Sequence, residues 1–72
     1  MIYTITDVLK LNNKLYLALD KMREAKDLLC NTIVTDNEQI MVNWVHPNEY
    51  VQVEYNGNEK DLIGKKCKFI KR

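Results

Sequence analysis

Apolar and polar residues alternate over most of the chain, and the alternation predicts β-strands. The opening stretch Ile2-Tyr3-Thr4-Ile5-Thr6 is β-branched and aromatic, the composition of a strand. Tyr3, Ile5, Leu9 and Leu11 share one parity while Val8 breaks it, which predicts a bulge near Asp7-Val8. After Asn12-Asn13, the residues Leu15, Leu17 and Leu19 alternate with Lys14, Tyr16, Ala18 and Asp20. Directly paired residues share a face, so the leucines of both strands meet in one core only across a loop with an odd number of residues. A three-residue loop with an asparagine in the left-handed region is therefore expected here, since a two-residue turn sets Leu11 opposite Lys14.

The downstream segments continue the pattern. Asn31 to Thr35 forms a short strand, Asp36-Asn37-Glu38 a turn, and Gln39 to Val45 a strand with Ile40, Val42 and Trp44 on one face. His46-Pro47-Asn48 ends it, because proline cannot donate to a ladder. Tyr50 to Tyr55 alternates Val51, Val53 and Tyr55 against Gln52 and Glu54, and Asn56-Gly57-Asn58 turns the chain. Lys65 to Ile70 closes it with Cys67 and Phe69 inward. Turn signals roughly every ten residues fit a single all-β domain over 1–72, a small closed or partly open antiparallel barrel of about six strands.

Period 3.6 also fits part of the chain. Val8, Leu11, Leu15, Ala18, Met22, Ala25 and Leu29 make a full heptad seam, and no β-branched residue occurs between Leu9 and Asn31. On that pattern the fold is α+β, with one long helix over about 8–30 packed on a three- to four-stranded antiparallel sheet. Asn12-Asn13 in the helix interior, and Leu9, Tyr16 and Leu17 off the seam, count against it. Asp20 to Leu29 also suits one or two helical turns inside a loop.

Ile5-Thr6-Asp7-Val8-Leu9, a polar turn and Leu15-Tyr16-Leu17-Ala18-Leu19 together resemble the opening hairpin of the β-barrel second domain of translational GTPases such as elongation factors. Leu28-Leu29-Cys30-Asn31-Thr32-Ile33-Val34 is similar to that family's "I-x-x-G-D-x-V" segment, with Asn31 where glycine usually stands, an exchange that suits asparagine because it is the next residue to tolerate a left-handed backbone. Asp61-Leu62-Ile63-Gly64-Lys65-Lys66-Cys67-Lys68-Phe69 resembles its closing turn and strand. The arginine-glycine turn of the family is replaced by Asn12-Asn13-Lys14, and its glycine after the second strand is absent. The resemblance implies a barrel of about six strands, which favours the hairpin over the helix. It implies no translation activity, because the chain has two glycines and no Walker-type loop.

Composition narrows the function more than it identifies it. Seventy-two residues bury a small core and leave little room for a deep cleft. No apolar run reaches the length of a membrane span, and the start lacks the pattern of a signal peptide. Cys30 and Cys67 lie far apart without metal or redox spacing, as expected of reduced thiols in a cytoplasmic protein, with a single disulfide in an exported domain as the alternative. Net charge is +1, yet its distribution is uneven. Between Asp27 and Glu59 the charged residues are all acidic: Asp27, Asp36, Glu38, Glu49, Glu54 and Glu59. The closing Lys65, Lys66, Lys68, Lys71 and Arg72 are all basic.

Catalytic chemistry finds few residues to work with. There is no serine, and the one histidine, His46, precedes Pro47. A Cys–His pair needs His46 beside Cys30 or Cys67, both of which carry core parity. The acid pairs Asp36/Glu38 and Glu59/Asp61 fall in turns, where carboxylates are solvated. A non-enzyme without cofactor or metal is expected. Trp44, His46, Tyr50 and Tyr55 flank the proline turn and suit an exposed aromatic patch; strand parity alternatively buries Trp44 and Tyr55. The expected function is a protein-interaction module, with Trp44, His46, Tyr50, Glu49 and Glu54 contacting a basic protein partner. Phage- or bacterium-encoded inhibitors and adaptors offer an analogy. The alternative is an RNA- or single-stranded-DNA-binding barrel using Lys65, Lys66, Lys68, Lys71 and Arg72. Capture of a small ligand in the barrel mouth is disfavoured, since small barrels are filled by side chains.

Overall fold

The computed structural model describes residues 1–36 and 38–72. Six antiparallel strands, β1 (Tyr3–Leu11), β2 (Lys14–Leu19), β3 (Thr32–Thr35), β4 (Glu38–Val45), β5 (Val51–Glu54) and β6 (Lys66–Ile70), close into a barrel ordered β1-β2-β5-β4-β3-β6. No α-helix forms among the described residues, so the expected barrel stands and the long helix over 8–30 does not. The helical signal is realised only as a 3-10 turn, Ala25–Leu29; a second such turn, Glu59–Leu62, follows β5.

Both long strands serve two partners. The first residues of β1 pair with β6, Tyr3 with Cys67 and Thr4 with Lys66, while Ile5 to Leu11 lie along β2. Likewise β4 gives Glu38 to Met41 to β3 and Met41 to Val45 to β5. A register shift falls at the bend of each, between Ile5 and Asp7 in β1 and between Val42 and Trp44 in β4. The barrel is thus two packed layers, β1-β2-β5-β4 and β4-β3-β6-β1, with corners turned by bulges.

The β1 bulge corrects the expected hairpin. Asn12 and Asn13 both take positive φ, 51° and 65°, the requirement of a two-residue type I′ turn, and Leu11 pairs with Lys14. The bulge near Asp7-Val8 is present, and it moves Val8 onto the core side opposite Leu17. Leu9 and Leu11 therefore point outward, 40% and 52% exposed, where an inward position was expected. The second bulge does the same to β4. Ile40, Val42 and Val45 are buried, and Trp44 leaves their face to stand 57% exposed. Positive φ falls at Asn12, Asn13, Asp36 and Gly64 among the described residues, and not at Asn31. Asn31 instead uses its side chain, which accepts from Arg72 N and donates to Arg72 O. Of the predicted Asp36–Asn37–Glu38 turn, Asn37 lies outside the described residues.

The interior is filled by Tyr3, Ile5, Leu15, Leu17, Ile33, Ile40, Val42, Val51, Val53, Leu62, Cys67 and Phe69. Cys67 is buried as expected, Cys30 is half-buried against the core, and both are free thiols. The segment after β2 crosses one barrel end, and Tyr3 holds it there. Its hydroxyl donates to the Asp27 carboxylate at 2.6 Å and accepts from Glu24 N at 3.0 Å, while its ring packs edge-on to Phe69. Burial and the Asp27 bond push the Tyr3 hydroxyl up to about 12, and burial pushes the Cys67 thiol up to about 11.

Two outcomes follow from these contacts. Asn13→Gly supplies the residue a type I′ turn prefers second, and is expected to raise stability by up to about 1 kcal/mol in urea denaturation. Alkali is expected to unfold the protein, because both raised groups bind protons more tightly folded than unfolded. Their stabilisation is whole below the ordinary pKa values near 9 and 10 and is lost as pH rises through about 11 and 12. Absorbance at about 295 nm should show one tyrosine of the four ionising only with the unfolding transition.

Candidate binding face

The β1-β2-β5-β4 layer buries Leu15, Leu17, Val51 and Val53 on its inner side and sends the intervening residues outward. Cross-strand pairing places four of these in one continuous row: Leu9 opposite Tyr16, Tyr16 opposite Gln52, and Gln52 opposite Trp44. A step along the strands toward the Asn12-Asn13 turn, Leu11 pairs with Lys14, and Glu54 with Met41. A step the other way, Asp7 pairs with Ala18, and His46 and Tyr50 continue from the Val45–Val51 pair. Five large apolar residues, Leu9, Leu11, Met41, Trp44 and Tyr50, thus stand exposed on the outside of one layer.

Aromatic contacts tie the rows together. Tyr16 and Tyr50 meet edge-on with ring centroids 6.4 Å apart, and Trp44 meets His46 at 5.3 Å in the same geometry. His46 Nε2 lies 3.8 Å from a Glu49 carboxylate oxygen. The predicted residues Trp44, His46, Tyr50 and Glu49 are therefore brought together, with Glu54 one row away. Tyr55 is half-buried against the core and belongs to the interior.

Beneath the face, Arg23 fixes the loop that carries His46, Glu49 and Tyr50. The guanidinium is buried and donates to three backbone carbonyls: His46 O at 3.1 Å, Lys21 O at 2.8 Å and Glu49 O at 2.6 Å. In addition, Arg23 N donates to Pro47 O at 2.8 Å. Burial lowers the Arg23 pKa, yet a guanidinium stays charged in a protein, so this cation is held by carbonyl dipoles. The loop is a pinned strap across the end of β4 and β5.

The acids of the middle stretch do not gather into one face. Asp27 is buried under Tyr3, Asp36 pairs with Lys65 at 2.7 Å, and Glu59 and Asp61 sit on the 3-10 turn Glu59–Leu62. Only Glu49 and Glu54 border the aromatic rows, joined there by Asp7 and Lys14. The basic residues lie across the barrel, since β6 stands three strands away from β5 in the closed order. Lys65 is engaged with Asp36, which raises its pKa, and Lys66 Nζ donates to Thr4 Oγ1 at 2.9 Å. The partners of the outward residues of β6 are Thr4 and Val34, so no aromatic ring is paired with Lys66 or Lys68.

At the hairpin end, a cleft of about 230 Å³ is lined by Lys10, Lys14, Glu54, Tyr55 and Glu59 among others. No group of three or more potential metal ligands occurs among the described residues, and no helix is long and apolar enough to cross a membrane. The buried Cys67 thiol, its pKa raised, is held in the protonated form that does not attack.

Sequence reasoning missed Leu9, Leu11, Tyr16, Met41 and Gln52 as members of the face, and Arg23 as its support. The parity break at Val8 was the available signal: with a two-residue Asn-Asn turn it turns both leucines outward.

No family model, no curated protein and no solved structure matches the chain. The barrel that the likeness to translational GTPases implies is present, but nothing in these comparisons assigns the chain to that family.

Arg23→Met keeps most of the aliphatic packing and removes the donors, leaving three part-buried carbonyls without their partner. Stability is expected to fall by about 2–4 kcal/mol in denaturant titration. Amide exchange at position 23, whose N–H bonds Pro47 O, should accelerate more than in β1 and β2.

Proposed function

We propose that this protein is a non-catalytic interaction module that binds another protein through the outside of its β1-β2-β5-β4 layer. The observation that carries this is the unbroken exterior row Leu9–Tyr16–Gln52–Trp44, with a tryptophan 57% exposed at its end. Aromatic residues over a rigid sheet, ringed by polar and charged groups, are the composition of binding hot spots. A pinned loop lowers the ordering cost of contact, since His46, Glu49 and Tyr50 are already held by Arg23. The charges on the face are of both signs, Asp7, Glu49 and Glu54 with Lys14, which fits an apolar partner surface bearing matched charges better than a uniformly basic one. Two free cysteines suit a reducing compartment. The likeness to elongation-factor barrels contributes a fold to this reading and no activity.

A pull-down from the native host with tagged protein tests the proposal. Trp44→Ala and Tyr50→Ala are expected to weaken capture of the bound protein by about 30-fold or more, the usual cost of truncating a hot spot. The Lys66→Ala/Lys68→Ala variant should retain it. The reverse pattern, with capture lost on the β6 variant and sensitive to nuclease, would move the site to the basic strand and make the partner a nucleic acid.

A further inference from the structure

We propose that the partner of this face is a second copy of the chain, docked face to face about a two-fold axis that runs parallel to the strands between β2 and β5. The inference rests on the interaction-module reading above and names its occupant.

The arrangement of residues on the face selects that axis. A two-fold rotation about a line between β2 and β5 exchanges the outer strands, β1 with β4, and the inner ones, β2 with β5. Each outward residue then meets the one at the mirrored place in its own row. Leu9 meets the partner's Trp44, and Leu11 meets the partner's Met41, so the four exposed apolar side chains cover one another. Lys14 meets the partner's Glu54, and the symmetry makes this pair twice. Asp7 meets the partner's His46, and Tyr16, with a phenolic donor, meets the partner's Gln52. The Lys14–Glu54 pair is the charge match that selects this axis, since His46 Nε2 already lies 3.8 Å from a Glu49 carboxylate oxygen of its own chain. An axis turned by a right angle, along the rows, sets Leu11 against the partner's Asp7 and Glu54 against the partner's Tyr50, and matches no charge.

Lys14 and Glu54 are neighbours within one chain yet make no ion pair within 4.0 Å among the described residues. Both remain available to a second subunit. Isologous contact of this kind is the commonest route to a closed homodimer. Its size sets its strength. Four strands about 4.8 Å apart and three rows about 7 Å apart give a patch of roughly 400 Å² per protomer, half the standard interface. Association is therefore expected in the upper micromolar range, as a monomer–dimer equilibrium.

Sedimentation equilibrium from about 10 µM to about 1 mM reads the outcome on the intact chain. The weight-average mass is expected to climb from 8.5 kDa toward twice that value. Trp44→Ala should hold it at the monomer. Lys14→Glu alone and Glu54→Lys alone each set like charges opposite each other, twice per dimer, and should weaken association by about tenfold or more. Mixing these two variants in equal amounts restores both pairs across a heterodimer, so the mixture should associate as the unaltered protein does. Circular dichroism checks that each variant stays folded.

A protein that remains monomeric at about 1 mM, while Trp44→Ala still abolishes capture of a host protein, overturns the second copy and leaves the interaction module intact. Monomer without any Trp44-dependent partner overturns both. A dimer indifferent to Trp44→Ala and to the charge variants shows another contact surface and overturns the proposed one.

Discussion

Two register shifts govern this molecule. A six-stranded barrel needs strands that can leave one layer and enter the next, and a regular strand cannot bend that sharply without breaking its ladder. The extra residue between Ile5 and Asp7 and the one between Val42 and Trp44 provide the bends. Each also inverts the side-chain alternation beyond it, because side chains alternate with a period of two. Closure of the barrel and exposure of Leu9, Leu11 and Trp44 are thus one event. The same backbone irregularities that allow a core of this size to close create the apolar surface outside it.

Polar groups buried at the barrel end beneath that surface form the second tier of organisation. Tyr3 bonds Asp27 and Glu24 N, and Arg23 bonds the carbonyls of Lys21, His46 and Glu49. These bonds join the connection after β2 to the loop after β4. A 72-residue domain has few apolar contacts to spare for its loops. A tyrosine hydroxyl and one guanidinium do that work here, at sites where a lost partner costs more than a made bond contributes.

Much of the fold was legible in the sequence, and the illegible part has a definite physical source. Strand alternation gave all six strands, and Gly64 takes positive φ before β6, where a turn was expected. The heptad seam from Val8 to Leu29 was a coincidence of leucine spacing that tertiary pairing overrode. Face assignment failed in β1 and β4 for one reason: alternation counts residues evenly, and a bulge makes one of them not count. The parity break in β1 predicts a bulge, but Leu9 and Leu11 turn outward only across a two-residue turn; an odd loop points them inward. Nothing marks the bulge in β4, so strand parity sets Trp44 inward while the aromatic patch at the proline turn requires it outside, where it stands. That His46, Glu49 and Tyr50 lie close together was legible because they share the proline turn. Arg23 was missed because a lone basic residue in a polar loop carries no periodic signal.

The seam of the barrel has a consequence for how the chain reaches this state. β1 and β6 pair through Tyr3–Cys67 and Thr4–Lys66, supplemented by the bonds of Ile5 N to Lys65 O and Gly64 N to Ile5 O. Those partners are about sixty positions apart, whereas the β1-β2 and β3-β4 hairpins close over two-residue gaps. Local hairpins form first and long loops close last, since the entropy of bringing distant segments together precedes any reward. During synthesis Tyr3 and Ile5 therefore wait, unsealed, until β6 has been made. In that interval the start of β1 is an open strand edge, and the barrel becomes a barrel only when its first strand receives its last.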